Sequence, residues 1–154
     1  MLISDYGGDE AALRSVLDAD PDVLNHNLET VERLQRRVRP AASYARSLGV
    51  LRRARELRSG LPTKSGLMLG LGEAPDEVRA ALRDLRAAGV ALLTLGQYLR
   101  PSPAHLPVER YLLPEEFEAF GDEARALGFA EVAAGPLVRS SYRAERLAGR
   151  APIP

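Results

Sequence analysis

The chain is 154 residues and 16.7 kDa, with 45% apolar and 27% charged residues, the balance of one globular unit or one piece of a larger one. Twenty-one basic residues offset twenty-one acidic ones, so no global field draws the chain onto nucleic acid or a membrane surface. The lack of cysteine excludes disulfides, thiolate metal sites and thiol nucleophiles, and His26 and His105 alone cannot make a histidine-rich metal centre.

Met1-Leu2-Ile3-Ser4-Asp5 reads as the last half of a strand, the raw edge of a parallel sheet whose N-terminal half is missing. Asp9 is placed to cap a helix carrying Leu13, Val16 and Leu17, which Asp20-Pro21 closes. Residues 22–27 read as a short strand with a polar far end. Thr30 is then expected to cap a helix with Val31, Leu34 and Val38 in register, ended by Arg39-Pro40. Ser43 opens another helix through Tyr44, Leu48, Leu51 and Leu57, stopped by Ser59-Gly60. Residues 64–70 suit a buried strand.

Pro75 opens a helix with Val78, Leu82 and Leu85 inward and Gly89 just past its end. Residues 90–95 form the next strand, and Pro101 to Pro107 a loop long enough to work. Pro114 begins a helix with Phe117, Phe120, Ala124 and Leu127 on one side, closed by Gly128. Residues 129–134 form the last strand, and apolar periodicity fades after Tyr142. Strand and helix in turn, with near-continuous apolar strands, mark an α/β fold of parallel strands covered by helices. No apolar run approaches the ~20 residues of a membrane span, and no leader precedes the first element, so the expected location is cytoplasmic.

Ligands of such folds sit beyond the C-terminal strand ends. Alternation sends Asn25 and Asn27 to one face and His26 to the other, with Glu29 close behind. Two amides and a carboxylate suit a ribose or an amino-acid group, and they equally suit capping of a strand end. Gly66, Gly70 and Glu73 could admit a flat ligand to the backbone, or simply make a tight strand-to-helix turn. Gln97 and Tyr98 end the following strand, where either can satisfy buried backbone. Lys64 is the single lysine among twenty arginines, by chance or for a task that needs a compact charge.

Arg139-Ser140-Ser141 can bind phosphate, cap a helix or ligate a metal centre. Residues 33–58 hold nine arginines against Glu56 alone, either a solvated face or a dock for an acidic partner.

The stretches Pro21 to Thr30 (including Asn25-His26-Asn27-Leu28-Glu29), Thr63-Lys64-Ser65-Gly66 to Glu73, Leu95 to Leu99, Pro101-Ser102, His105 to Tyr111 and Gly135 to Tyr142, in this order, resemble the lipoyl synthases of the radical S-adenosylmethionine enzymes. The resemblance covers residues 2–145. It implies the C-terminal part of a partial (β/α)6 TIM-like barrel over residues 1–138 and an extension over 139–154. It further implies S-adenosylmethionine and two 4Fe-4S clusters in the complete enzyme, one cleaving S-adenosylmethionine to a 5′-deoxyadenosyl radical and the other consumed as sulfur donor. The family reaction inserts sulfur at carbons six and eight of a protein-bound octanoyl group to form lipoyl.

By position, the resemblance makes Asn25, Asn27 and Glu29 the strand-end group facing S-adenosylmethionine, and Gly66, Gly70 and Glu73 part of the motif near its adenine. Lys64, Gln97 and Tyr98 would line the same cavity, and Ser141 would be an oxygen ligand of the auxiliary cluster. The expected partners are octanoylated lipoyl-carrier domains, of a dehydrogenase-complex acyltransferase or the glycine cleavage H protein, and the missing N-terminal half. The family's two cysteine motifs have no counterpart in this chain, so by itself it is expected to bind no cluster and to be inactive. A non-catalytic remnant that keeps only a partner-binding surface is the alternative, and a Schiff-base aldolase using Lys64 a third reading.

Overall fold

The structure, a computed structural model, describes residues 1–141. Four parallel strands, β1 (Leu24–Asn25), β2 (Thr63–Leu69), β3 (Leu92–Gln97) and β4 (Glu131–Gly135), lie side by side in chain order. Helices α1 (Glu10–Asp18), α2 (Gln35–Val38), α3 (Tyr44–Leu57), α4 (Pro75–Ala87) and α5 (Pro114–Ala126) fill the connections, with short 3-10 turns at Tyr6–Gly8 and Glu32–Leu34. Every strand pair is parallel and every crossover carries helix, as in an arc of a partial TIM-like barrel. Among the described residues, no helix is long and apolar enough to cross a membrane.

The strongest local signals give the most regular helices. Asp9 accepts from the Ala11 and Ala12 amides, and Ser43 from that of Arg46. In α4 and α5 proline takes the first position, and the third-residue glutamates, Glu77 and Glu116, accept the N-cap amides of Ala74 and Leu113. Both helices end alike. Gly89 and Gly128 turn with φ of 86° and 89°, and Val90 and Phe129 donate back five residues to Leu85 and Ala124.

Phe129 therefore belongs to the close of α5, and β4 starts only at Glu131. The apolar faces of α4 and α5 pack on Leu67, Leu69, Leu93 and Leu95 in the main core. A smaller cluster joins Leu13, Leu17, Leu24, Val50 and Ala54. Met1 to Ile3 lies along the β1 edge as expected of a strand end: Leu2 bridges Asn25, and Ile3 donates to its carbonyl at 2.9 Å.

Two expectations need correction. Thr30 caps nothing, and no continuous helix runs from Val31 to Val38. Glu29 is still tied to β2 by its backbone and Val31 is extended (ψ 160°), so helical geometry starts only at Glu32. Pro40, which disfavours helical backbone in the residue before it, ends α2 after one turn. The strand expected over 22–27 is likewise only Leu24–Asn25, because after His26, whose N–H still donates to Lys64 O, the chain bulges away at Asn27–Leu28 before rejoining β2.

Phe117, fully buried on α5, reports on the helix–sheet core. Phe117→Ala should cost about 3–5 kcal/mol, and Asp9→Ala about 1 kcal/mol, read as lowered urea midpoints with unchanged slope.

Candidate functional site

Strand parity divides the sheet. Leu67, Leu69, Leu93 and Leu95 face the helices, so Lys64, Gly66 and Met68 of β2 and Leu92, Thr94 and Gly96 of β3 share the inner face. Register sets Asn25, Lys64, Leu92 and Glu131 in one row, Gly66, Thr94 and Ala133 in the next, and Met68, Gly96 and Gly135 in a third. As alternation predicts, Asn25 and Asn27 are on this face, and His26 is on the other. There His26 is buried and its Nδ1 donates to the Ile3 carbonyl oxygen at 3.0 Å. Burial lowers its pKa, so the ring is a neutral structural group.

Glu29 sits where the chain rejoins β2. Its N–H donates to Gly66 O at 2.9 Å, and its own carbonyl accepts from the Met68 N–H at 2.8 Å. With φ of 69° it occupies the left-handed region, at a cost of order 1–3 kcal/mol for a non-glycine residue. Asn27, Glu29, Gly66, Met68, Thr94 and Gly96 line a cavity of about 200 Å³, closed on its far side by Val138, Arg139 and Ser140. A larger one of about 620 Å³ shares Glu29, Met68 and Leu99 with it. Arg37, Arg39, Leu71, Tyr98 and the loop 101–107 wall this second cavity.

The electrostatics centre on Glu29. Burial raises its carboxyl above the ordinary range, against a hydrogen bond from the Asn27 amide and the charge of Arg39, both of which lower it. Arg39 also donates to the Asn27 carbonyl oxygen at 3.0 Å. Asn27 Oδ1 beside them, and Asn25 Oδ1 further down the face in the row of Lys64, are buried with no hydrogen-bond partner. A buried acceptor without a donor costs about 1–3 kcal/mol. Two of them on one face are places for the N–H or O–H groups of a ligand.

Lys64 is buried at the other end of this face, and burial lowers its pKa while the charge of Glu131 raises it. Ser140 and Ser141 line a cavity of about 220 Å³ with it, together with Met1, Leu2, Val23 and Asn25. Tyr142 and the rest of the extension expected over 139–154 are outside the described residues.

Not every expected ligand group presents its side chain to a cavity. Glu73 accepts from the Gly70 and Leu71 amides at 2.6 and 2.9 Å, so it closes the strand-to-helix turn. Gln97 is at the lining of the smaller cavity, yet its amide donates to the Tyr98 and Arg110 carbonyls and accepts from Leu112, in the role of satisfying buried backbone. Gly70 packs against Gln97, whereas Gly66 does face the cavity, where a Cβ would meet Thr94 Oγ1 at 2.6 Å. Tyr98 lines the larger cavity and donates its hydroxyl to Leu106 O at 2.8 Å.

Sequence reasoning did not single out Met68, Thr94, Gly96 or Arg39. The first three share the parity of Gly66 and were within its reach, while Arg39 is brought in by folding alone.

The arginine-rich run is less of a single face than its count suggests. Arg33, Arg46, Arg53 and Arg58 form ion pairs with Glu77, Asp5, Glu10 and Asp20, and Arg55 packs over Gly89. Arg36, Arg37 and Arg52 are exposed and have no ion-pair partner among the described residues.

Comparison with known proteins agrees with this architecture. Residues 1–85 match the Radical SAM superfamily. The chain is 66% identical over 132 residues to lipoyl synthase 2 of Parasynechococcus marenigrum, covering 86% of this chain and 44% of that protein. It is 59% identical over 147 residues to the lipoyl synthase of Frankia casuarinae (96% and 44%) and 58% identical over 147 residues to that of Mycobacterium tuberculosis (96% and 47%). The chain thus spans less than half the length of these relatives.

Glu29 gives a test with a definite sign. A carboxyl whose pKa rises on folding binds its proton more tightly in the native state, so its contribution to stability falls as pH rises from the unfolded to the folded value. Glu29→Gln removes that loss. Urea midpoints of the variant should exceed wild type at pH 7, with the gain shrinking as pH falls toward the ordinary glutamate range and gone below it; a pH-independent difference would contradict the burial of this carboxyl.

Proposed function

The chain belongs to the radical SAM superfamily, and on that premise we propose that it forms part of a lipoyl synthase and supplies the back wall of its S-adenosylmethionine site. The family reaction is sulfur insertion at carbons six and eight of a protein-bound octanoyl group, in the cytoplasm. The observation that carries the reading is the partnerless amide oxygen of Asn27 beside the half-buried Glu29, with a second on Asn25 further down the same face.

These residues fit S-adenosylmethionine. The molecule has an ammonium group and two ribose hydroxyls, all donors, and this face offers acceptors and a carboxylate. Glu29, when ionised, accepts from these donors and offsets the ligand's positive charge. Asn25 and Asn27 take the remaining donors and orient it, while the loop 101–107 shields one side from water. Bound there, S-adenosylmethionine supplies the radical chemistry by which hydrogen leaves the octanoyl chain.

The residues do not fit a 4Fe-4S cluster. The chain has no cysteine, and Ser141 offers a single oxygen. The cluster ligands in this reading come from a partner segment, and the chain by itself is inactive.

The acidic partner is an octanoylated lipoyl-carrier domain. The cations free to meet it include Arg36 and Arg37, of which Arg37 is at the rim of the larger cavity. This moves the expected dock away from Arg53, whose charge is already met by Glu10 and Glu56.

Three outcomes are expected. Anaerobic treatment with iron and sulfide gives no brown 4Fe-4S absorption from the chain alone. Equilibrium dialysis gives saturable binding of S-adenosylmethionine that Asn27→Ala weakens roughly tenfold, equivalent to about 1.4 kcal/mol; no saturable binding, or unchanged affinity in the variant, refutes the site. Charge reversal at Arg36 and Arg37 slows carrier association at low salt more than reversal at Arg53 does.

A further inference from the structure

We infer that Gln97 and Gly70 form a joint that fixes loop 100–112 as a preformed wall of the larger cavity, which makes Gln97 a positioning residue for the ligand. The inference rests on the reading of that cavity as part of the S-adenosylmethionine site.

Gln97 is the last residue of β3, and its parity turns it from the inner face toward the loop that follows. Its side chain is nearly spent. Nε2 donates to Tyr98 O and to Arg110 O, both at 3.1 Å, which uses both amide hydrogens, and Oε1 accepts from the Leu112 N–H at 3.0 Å. Only one lone pair is left for anything else.

Gly70, at the neighbouring strand end, completes the joint. Its carbonyl accepts from the Glu109 N–H at 2.9 Å, and a Cβ on it would collide with Gln97 Nε2 and the Arg110 carbonyl oxygen. The glycine is needed for close approach to this amide. Tyr98 adds a third attachment through its hydroxyl on Leu106 O.

The loop is thus tied to the ends of β2 and β3 at Leu106, Glu109–Arg110 and Leu112. Within it, Arg100 Nε donates to His105 O at 2.9 Å and Ser102 Oγ bonds His105 Nδ1 at 2.9 Å. Its segment between Pro101 and Pro107 is what lines the cavity. A loop so held cannot swing as a lid without breaking bonds made by a buried amide.

The test pairs amide hydrogen exchange with S-adenosylmethionine binding on the intact chain. Gln97→Met keeps the bulk and removes all three hydrogen bonds. The Leu112 and Glu109 amides should exchange at least tenfold faster, while Leu67 and Leu95 in the sheet stay protected and affinity falls about tenfold. Gln97→Glu should restore loop protection at acid pH, where the protonated carboxyl can still donate, and lose it at neutral pH. Should Gln97→Met destabilise the whole sheet, Tyr98→Phe cuts the Leu106 tie alone, and faster exchange at His105 with two- to threefold weaker binding is expected.

Unchanged loop protection in these variants overturns the joint. Lost protection with unchanged affinity overturns the loop as a wall of the site, and lost affinity with full protection makes Gln97 a direct ligand contact instead. If the wild-type chain binds no S-adenosylmethionine, the reading of the cavity fails, and exchange alone decides the joint.

Discussion

Between Asn25 and Glu29 the chain leaves the sheet edge and is caught again by two hydrogen bonds, Glu29 N–H to Gly66 O and Met68 N–H to Glu29 O. The site depends on that recapture. It fixes the bulge length, so Asn27 turns toward the cavity while His26 turns back to Ile3. It also forces Glu29 into a left-handed conformation, which sends the carboxylate to the boundary of the two cavities. Strain of this kind persists only where neighbours over-determine it. Here the neighbours are two backbone bonds and, one step further, Arg39 on the Asn27 carbonyl.

The sequence was legible where the signals are local. Proline first, glutamate third and glycine after the end specify α4 and α5 within their own residues, and structure and reading agree there nearly to the residue. Alternation was enough to put Asn25 and Asn27 on one face. It failed at Thr30, because a threonine before an apolar run looks like a cap whether or not the backbone has left the sheet. Glu73 and Gln97 stayed open between two readings for a related reason. A polar side chain at a strand end looks alike in sequence whether it meets a ligand or main-chain groups, and the partners that consume Gln97 are one to fifteen residues away.

Charge shows the same limit at longer range. Nine arginines against one glutamate over residues 33–58 suggest a continuous basic face. Folding brings Asp5, Glu10, Asp20 and Glu77 from outside that window onto four of them. Exposed pairs of this kind add little stability, typically about 0–1 kcal/mol, yet they change where the uncompensated field is. What is left includes Arg36 and Arg37 near the cavity and Arg52 on α3, a smaller and more directed pattern than the count implies.

The cavity itself comes from side chains that are not there. Two rows of the inner face read Gly66, Thr94, Ala133 and Met68, Gly96, Gly135, so only Met68 among them could fill the space a close-packed interior demands. Glycine inside a strand weakens it and often marks a close approach by ligand or backbone. Gly66 is crowded by Thr94 and Asn27, and Gly96 lies directly beneath the Val138 carbonyl, where the chain after β4 crosses back. The row below has the opposite character, with the buried Lys64 and the half-buried Glu131 flanking Leu92. A buried charge such as Lys64 contributes little net stability and is tolerated where it defines an arrangement. The row is polar and filled where the two rows of glycine, threonine and alanine above it leave space. A side chain at Gly66 would press on Thr94 Oγ1, and one at Gly96 would drive the Val138 carbonyl away, so the closing segment after β4 depends on these two glycines.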